Sequence, residues 1–298
     1  MKYISVKEAA KKWGVSERSV RDYCAKDKIE GALLTGKTWH IPDTATKPER
    51  VNKHIDEPKT LIDILRLEKA AHRHGGIYHK IQIELTYNSN HMEGSQLSHD
   101  QTRYIFETNT IGMDDGTLRV DDVVETANHF TCIDLIIDNA NTMLNETFIK
   151  KLHAVLKNGT SDSRKEWFAV GEYKKLPNEV GGIDTTAPEN VHTEMKRLLS
   201  EYNAIKDKTL DDLLDFHYRF ECIHPFQDGN GRIGRLILFK ECLRNNIIPF
   251  IIEEDIKMFY YRGLNKWNNE RGYLRGTCLT AQDKFIKHLE YFRIPYQK

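Results

Sequence analysis

The sequence predicts a mostly α-helical protein: a helical body with one small β-hairpin flap, preceded by a small helix-turn-helix head. Three observations predict this class. Apolar residues recur at helical spacing over most of residues 61–292. The first 25 residues hold two short capped helical patterns around one glycine. Glycine and proline interrupt the helical rhythm at only a few places, one of them flanked by Val and Ile as a hairpin requires.

The head comes first. Ser5 followed by Glu8 is a capping box that opens a helix. Ala9, Ala10 and Trp13 form its inward face, and Gly14 ends it where the backbone needs a positive φ. Ser16 caps a second helix with Val20 and Tyr23 inward. The run "GALLTGKTWHIP" then places two apolar stretches around Thr35, Gly36 and Lys37, a hairpin signal. Over residues 1–43 this pattern resembles the winged helix-turn-helix of the excisionase and MerR-like group. The resemblance implies that Ser16, Glu17, Arg18, Ser19 and Arg21 open a recognition helix. Arg18 and Arg21 would then meet base edges or phosphates of DNA, and Lys37 a phosphate from the wing tip. The alternative is a docking module whose charges are solvated. Residues 1–50 hold 11 Lys/Arg and 7 Asp/Glu, a net of +4, which favours DNA only mildly.

The whole chain of 298 residues carries 44 basic and 44 acidic side chains, so its net charge names no partner. Its length suits two domains. The five cysteines are scattered and form no C-x-x-C pair, which argues against a disulfide framework or zinc site and for a reducing compartment. No apolar run approaches the ~20 residues needed to span a bilayer, and the N-terminus lacks a signal-peptide core. The expectation is a cytoplasmic protein without a membrane partner.

Residues 43–60 are polar, hold two prolines and lack periodicity; 44–60 reads as a linker. The body follows over 61–298. Helices are expected at 61–74, 77–92, 119–140, 147–157, 190–202, 210–221, 232–245, 255–268 and 281–292. Residues 171–189 read as the hairpin flap.

Between two of these helices lies "IHPFQDGNGRIGR", residues 223–235. Gly229, Gly231 and Gly234 let backbone N–H groups approach a ligand closely, and a helix N-terminus favours anions. Arg232 and Arg235, three apart, suit phosphate oxygens. Asp228 supplies one carboxylate, the usual protein share of a Mg²⁺ site beside phosphates. His224 can take a proton near neutral pH. Together they read as a phosphate-transfer site.

These residues resemble the signature of the Fic (filamentation induced by cAMP) family, H-x-F-x-D/E-G-N-G-R-x-x-R. The resemblance covers roughly residues 61–298 and implies transfer of AMP from ATP to a Ser, Thr or Tyr hydroxyl of a target protein, with Mg²⁺. It makes His224 the general base, Phe226 the loop anchor and Asp228 the metal ligand. Gly229, Asn230 and Gly231 form the anion hole, and Arg232 and Arg235 grip the outer phosphates. Upstream, "SNHMEG" matches the family's inhibitory motif through Ser89, Glu93 and Gly94, with Ser95 where many relatives have Asn. The class with inhibition in cis implies that Glu93 pairs with Arg235 and restrains transfer. The family also places adenine contacts in a late helix. Tyr261, Leu264 and Asn268 share a face there, which could equally be plain core. Strand addition of the target at residues 174–182 stands against an ordinary surface loop. Homodimers are common in the family, so a dimer is a further expectation. Two alternatives are a hydrolase that removes AMP from proteins and a transcriptional regulator that senses a nucleotide.

Overall fold

A computed structural model of the protein describes residues 2–48, 60–112 and 117–296. The chain divides into two compact units, Met1–Glu57 and Pro58–Lys298. The expected linker falls largely outside the described residues.

The first unit is built as β1 (Tyr3–Ser5), α1 (Val6–Trp13), α2 (Glu17–Ala25), β2 (Leu33–Thr35) and β3 (Thr38–Pro42). Ser5 caps α1 in a full capping box with Glu8, and Gly14 closes it at φ 64°. Ser16 caps α2. The three strands form an antiparallel sheet in the order β1-β3-β2. Val6, Ala9, Ala10, Trp13, Val20, Cys24, Ile29 and Ile41 close a small core of their own. The wing therefore has one strand more than the hairpin expected: β1 pairs with β3 from Tyr3 opposite Pro42 to Ser5 opposite His40.

The second unit is helical: α3 (Leu61–Ala70), α4 (Ile77–Met92), α5 (His99–Thr108), α6 (Val120–Asp138), α7 (Glu146–Leu156), α8 (Pro188–Ala204), α9 (Leu210–Ile223), α10 (Asn230–Arg244), α11 (Lys257–Lys266) and α12 (Gly272–Tyr291). Between α7 and α8 lies a two-stranded hairpin, β4 (Glu179–Val180) with β5 (Ile183–Asp184). α10 is buried on all sides from Ile233 to Leu243. A helix buried all round belongs at the centre, and α4, α6, α7 and α9 pack around this one. No helix among the described residues is long and apolar enough to cross a membrane.

Two elements depart from the expected pattern. α5 was not expected: its only apolar residues, Tyr104, Ile105 and Phe106, are consecutive and give no helical stripe. α12 begins at Gly272, nine residues before the helix expected from 281. Its glycine-containing first turns are held by α11, where Gly263 lets the backbone of Leu274 approach: a Cβ there would lie 2.6 Å from Leu274 Cα.

Candidate active site

The loop between α9 and α10 is shaped by two left-handed residues. His224 ends α9 at φ 50°, ψ 62°, its N–H donating to Phe220 C=O. Gly229 opens α10 at φ 82°, where a side chain would also press on Leu156. Between them Phe226 is fully buried and stacks on His153 with ring centroids 4.0 Å apart. The Asn230 side chain closes the loop: its Oδ1 accepts from Phe226 N–H and its Nδ2 donates to Phe226 C=O, both at 2.8 Å. Asn230 was expected in the anion hole. Its amide is instead spent on loop shape, leaving only its main chain at the helix start.

The loop presents His224 as a neutral base. Burial first, then the nearby Lys174 charge, push its imidazole down to about 4. Nδ1 is buried, with Glu221 Oε2 3.8 Å away, too far to bond. That leaves Nε2 for an incoming hydroxyl. Behind it, burial raises the Glu221 carboxyl to about 8.

The two arginines of α10, expected to act on one face, turn to different neighbours. Arg235 reaches α4. Its Nε donates to Ser89 Oγ at 3.0 Å, and its terminal nitrogen to Ser89 C=O at 2.9 Å and Glu93 Oε1 at 2.7 Å. A Cβ on Gly231 would lie 2.3 Å from that same Glu93 oxygen. The Glu93 carboxylate thus lies over the first turn of α10, where free N–H groups and the helix dipole favour an anion. Glu93 is the residue that ends α4, and Gly94 follows at φ 92°. Arg232 reaches α6, bonding Glu125 through NH1 and, at 3.4 Å, Asp228 through NH2.

Asp228 is held by Lys157, whose Nζ lies 2.7 Å from Oδ2. Burial would raise this carboxyl, but the Arg232 and Lys157 charges outweigh it and hold it at about 2. Both cations engage Oδ2, and the side chain is about half exposed at 48%. Among the described residues no group of three or more His, Cys, Asp or Glu stands ready to hold a metal. One open carboxylate fits a hard cation that brings its other ligands with it, as Mg²⁺ does on phosphates.

The sequence profile of the Fic/DOC family matches residues 143–241, which contain this loop and the helices on both sides of it. Over that stretch the helical unit is similar to the Fic/DOC family. The chain is 26% identical over 193 residues to the protein adenylyltransferase Fic of Nematostella vectensis, covering 61% of this chain and 42% of that protein. It is 26% identical over 231 residues to that of Drosophila grimshawi, covering 75% and 45%. The chain therefore spans less than half the length of these relatives. A Fic domain containing signaling protein from Bacteroides thetaiotaomicron shares the fold with a TM-score of 0.60, at 24% identity over 77% of this chain and 94% of that one. Fic-1 of C. elegans (residues 134–508) does so with a TM-score of 0.59, at 17% identity over 78% and 72%.

Around this loop the other expected residues fall unevenly. Tyr261 and Leu264 are half-buried on α11, and Tyr261 OH donates to Met92 C=O at 3.4 Å, beside Glu93. Asn268 does not share their helical face. α11 ends at Lys266, Trp267 is buried with its Nε1 on Asp215, and Asn268 lies beyond, exposed and donating to Tyr218 OH at 2.7 Å. The flap also shifts. Its strands centre on Gly181 and Gly182, and Lys174, expected on it, is buried. Lys174 anchors the flap: its Nζ donates to Asn178 Oδ1, Thr185 Oγ1 and Ile223 C=O, and its N–H to Pro225 C=O. In the head, Arg18 and Lys37 are exposed, whereas Arg21 is paired with Glu17 at 2.9 Å.

Sequence reasoning missed Lys157, Glu125, Asp162 and Glu221. A signal existed for some. Asp122, Glu125, Thr126 and His129 recur at i, i+3, i+4 and i+7 on α6, a polar stripe where a core helix should be apolar. His153 and Lys157 repeat it at i, i+4, at the end of α7.

Proposed function

We propose that the Fic unit transfers AMP from ATP to a hydroxyl side chain of a target protein and that Glu93 restrains it. The observation that carries this reading is the Glu93 carboxylate over Gly231, paired with Arg235: the chain's own anion stands where an anionic ligand would lie. The relatives named protein adenylyltransferase support the direction of the chemistry.

His224 Nε2 takes the proton of the target hydroxyl, whose oxygen attacks the α-phosphorus as pyrophosphate leaves. The main-chain N–H groups at Gly229–Gly231 and the Arg235 guanidinium stabilise the phosphate charge. Mg²⁺, carried on the phosphates and held through Asp228, supplies further charge neutralisation when bound. Tyr261 and Leu264 flank the adenine. Val180 and Ile183 are exposed apolar residues on a two-strand edge, which supports docking of the target there as an added strand. Five free cysteines support a reducing, cytoplasmic setting. For the head we propose DNA binding through Arg18 and Lys37. Leu33 and Leu34, exposed on the edge strand, favour protein docking instead, and failure to bind duplex DNA at low salt would decide for docking.

The test of the enzyme is the Glu93→Gly chain with ATP, Mg²⁺ and a cell lysate. Mass spectrometry is expected to find an AMP adduct on Ser, Thr or Tyr of a specific protein. Its absence, with nucleotide bound, would reject the transferase reading.

A further inference from the structure

A densely charged, largely buried cluster lies beside the loop and is centred on a lysine. Lys157 closes α7, and its side chain is only 2% exposed. Its Nζ lies 2.5 Å from Glu125 Oε1, 3.1 Å from Asp162 Oδ2 and 2.7 Å from Asp228 Oδ2. The three carboxylates come from α6, the turn after α7, and the α9–α10 loop. Glu125 also bonds Arg232, and Asp162 is braced by Lys165 at 2.7 Å. Three acidic oxygens converging within about 3 Å of one point is the arrangement by which proteins hold a hard divalent cation. Here the point is taken by an ammonium.

We propose that Lys157 is the positioning residue of the phosphate site: its ammonium fills the centre of the Glu125, Asp162 and Asp228 carboxylates and so fixes Asp228. The charge physics requires an occupant. Three carboxylates gathered at a largely buried point repel one another and keep their arrangement only around a cation. A covalently tethered cation cannot leave, so the loop keeps its shape with or without nucleotide. It also keeps a free divalent ion out of the cage, which leaves Asp228 Oδ1, held by no cation among the described residues, for an ion arriving on the phosphates. Arg232 is fixed by the same device, because Glu125 bridges it to Lys157. This inference rests on the phosphate-transfer reading of the loop only for its purpose; the cage stands on its own geometry.

The test uses the full chain carrying Glu93→Gly, with and without Lys157→Met, a neutral replacement of similar length. Mn²⁺ is titrated without nucleotide and followed by electron paramagnetic resonance, and nucleotide transfer is measured against Mg²⁺ and ATP. With Lys157 present, nucleotide-free Mn²⁺ binding is expected to be weak. Lys157→Met is expected to strengthen it at least tenfold by opening the cage, and adding Glu125→Gln is expected to reverse most of that gain. In transfer, Lys157→Met is expected to raise the KM for Mg·ATP at least tenfold. A folded Lys157→Met chain with Mn²⁺ affinity within twofold of its parent would overturn the proposal. So would nucleotide-free Mn²⁺ binding to the Lys157 chain that Asp162→Asn abolishes, a result that needs no folded Lys157 variant. The cage with its Mn²⁺ response but no nucleotide transfer by any variant would instead reject the transferase reading alone.

Discussion

The two ends of α10 bury charge in opposite ways. At its C-terminal end Lys240 is fully buried, and its Nζ donates to Thr142 C=O at 2.7 Å and Glu241 Oε1 at 2.8 Å. Glu241 in turn accepts from Tyr202 OH at 2.8 Å. Lys240 and Glu241 thus meet partners within the protein, and of the charged groups at this end only Arg244 Nη1, 3.7 Å from Glu241 Oε2, is buried without a hydrogen bond among the described residues. At the N-terminal end Arg232 Nε, Glu221 Oε1, His217 Nδ1 and His224 Nδ1 are buried without partners. Arg235 bonds Ser89, and its charge is met by the Glu93 carboxylate at the end of another helix. Buried polar groups are ordinarily paired, so the difference teaches which end is architecture and which is poised for a ligand. One helix thus anchors the core at its far end and leaves its near end electrostatically incomplete.

The comparison breaks most sharply at His224. His224→Ala in the Glu93→Gly chain is expected to lower the transfer rate by about 10²–10⁴-fold, the usual contribution of a general base, with little change in thermal stability. Next comes the far end. Glu241→Ala leaves a buried lysine without its carboxylate and is expected to cost about 3–5 kcal/mol in chemical denaturation, while the transfer rate of the remaining folded protein stays nearly unchanged. An equal loss of stability from His224→Ala and Glu241→Ala would erase the distinction. The smallest effect is in pH. A His224 pKa lowered from the ordinary 6.5 to about 4 keeps the imidazole unprotonated through pH 6. The transfer rate is therefore expected to change less than twofold between pH 7 and 6 and to fall only as pH approaches 4. A limb near 6.5 would mean that the site does not exclude water as burial of Nδ1 implies.

Much of this was legible in the chain. The Ile77–Met92 helix lies where apolar spacing puts it, and Ser5, Glu8, Gly14 and Ser16 punctuate the head as their chemistry requires. Local signals suffice for such elements because the determining residues lie within one or two turns. α5 carried a legible cap, Ser98 with Gln101, but lacked the stripe that reveals a helix. The loop at 223–235 stood out because its residues are contiguous. The pairing of Arg235 with Glu93 spans more than 140 positions and was expected from the family motif, not from spacing, whereas its bonds to Ser89 were not expected. The Lys157 cage was not reached at all. Its members come from 125, 157, 162 and 228; Asp228 stood out as a metal ligand, but no local pattern ties it to the other three. Only the fold brings them to one point.

The central claim is that Glu93 holds the anion position at the mouth of α10 against the nucleotide. Its most direct test is the rate of labelled AMP incorporation by the native chain and by Glu93→Gly at equal concentrations of ATP and Mg²⁺. Even about 1.4 kcal/mol of net pairing between Glu93 and Arg235 corresponds to a factor of ten, so the account predicts at least tenfold faster incorporation by Glu93→Gly. Equal rates in the two chains would contradict it.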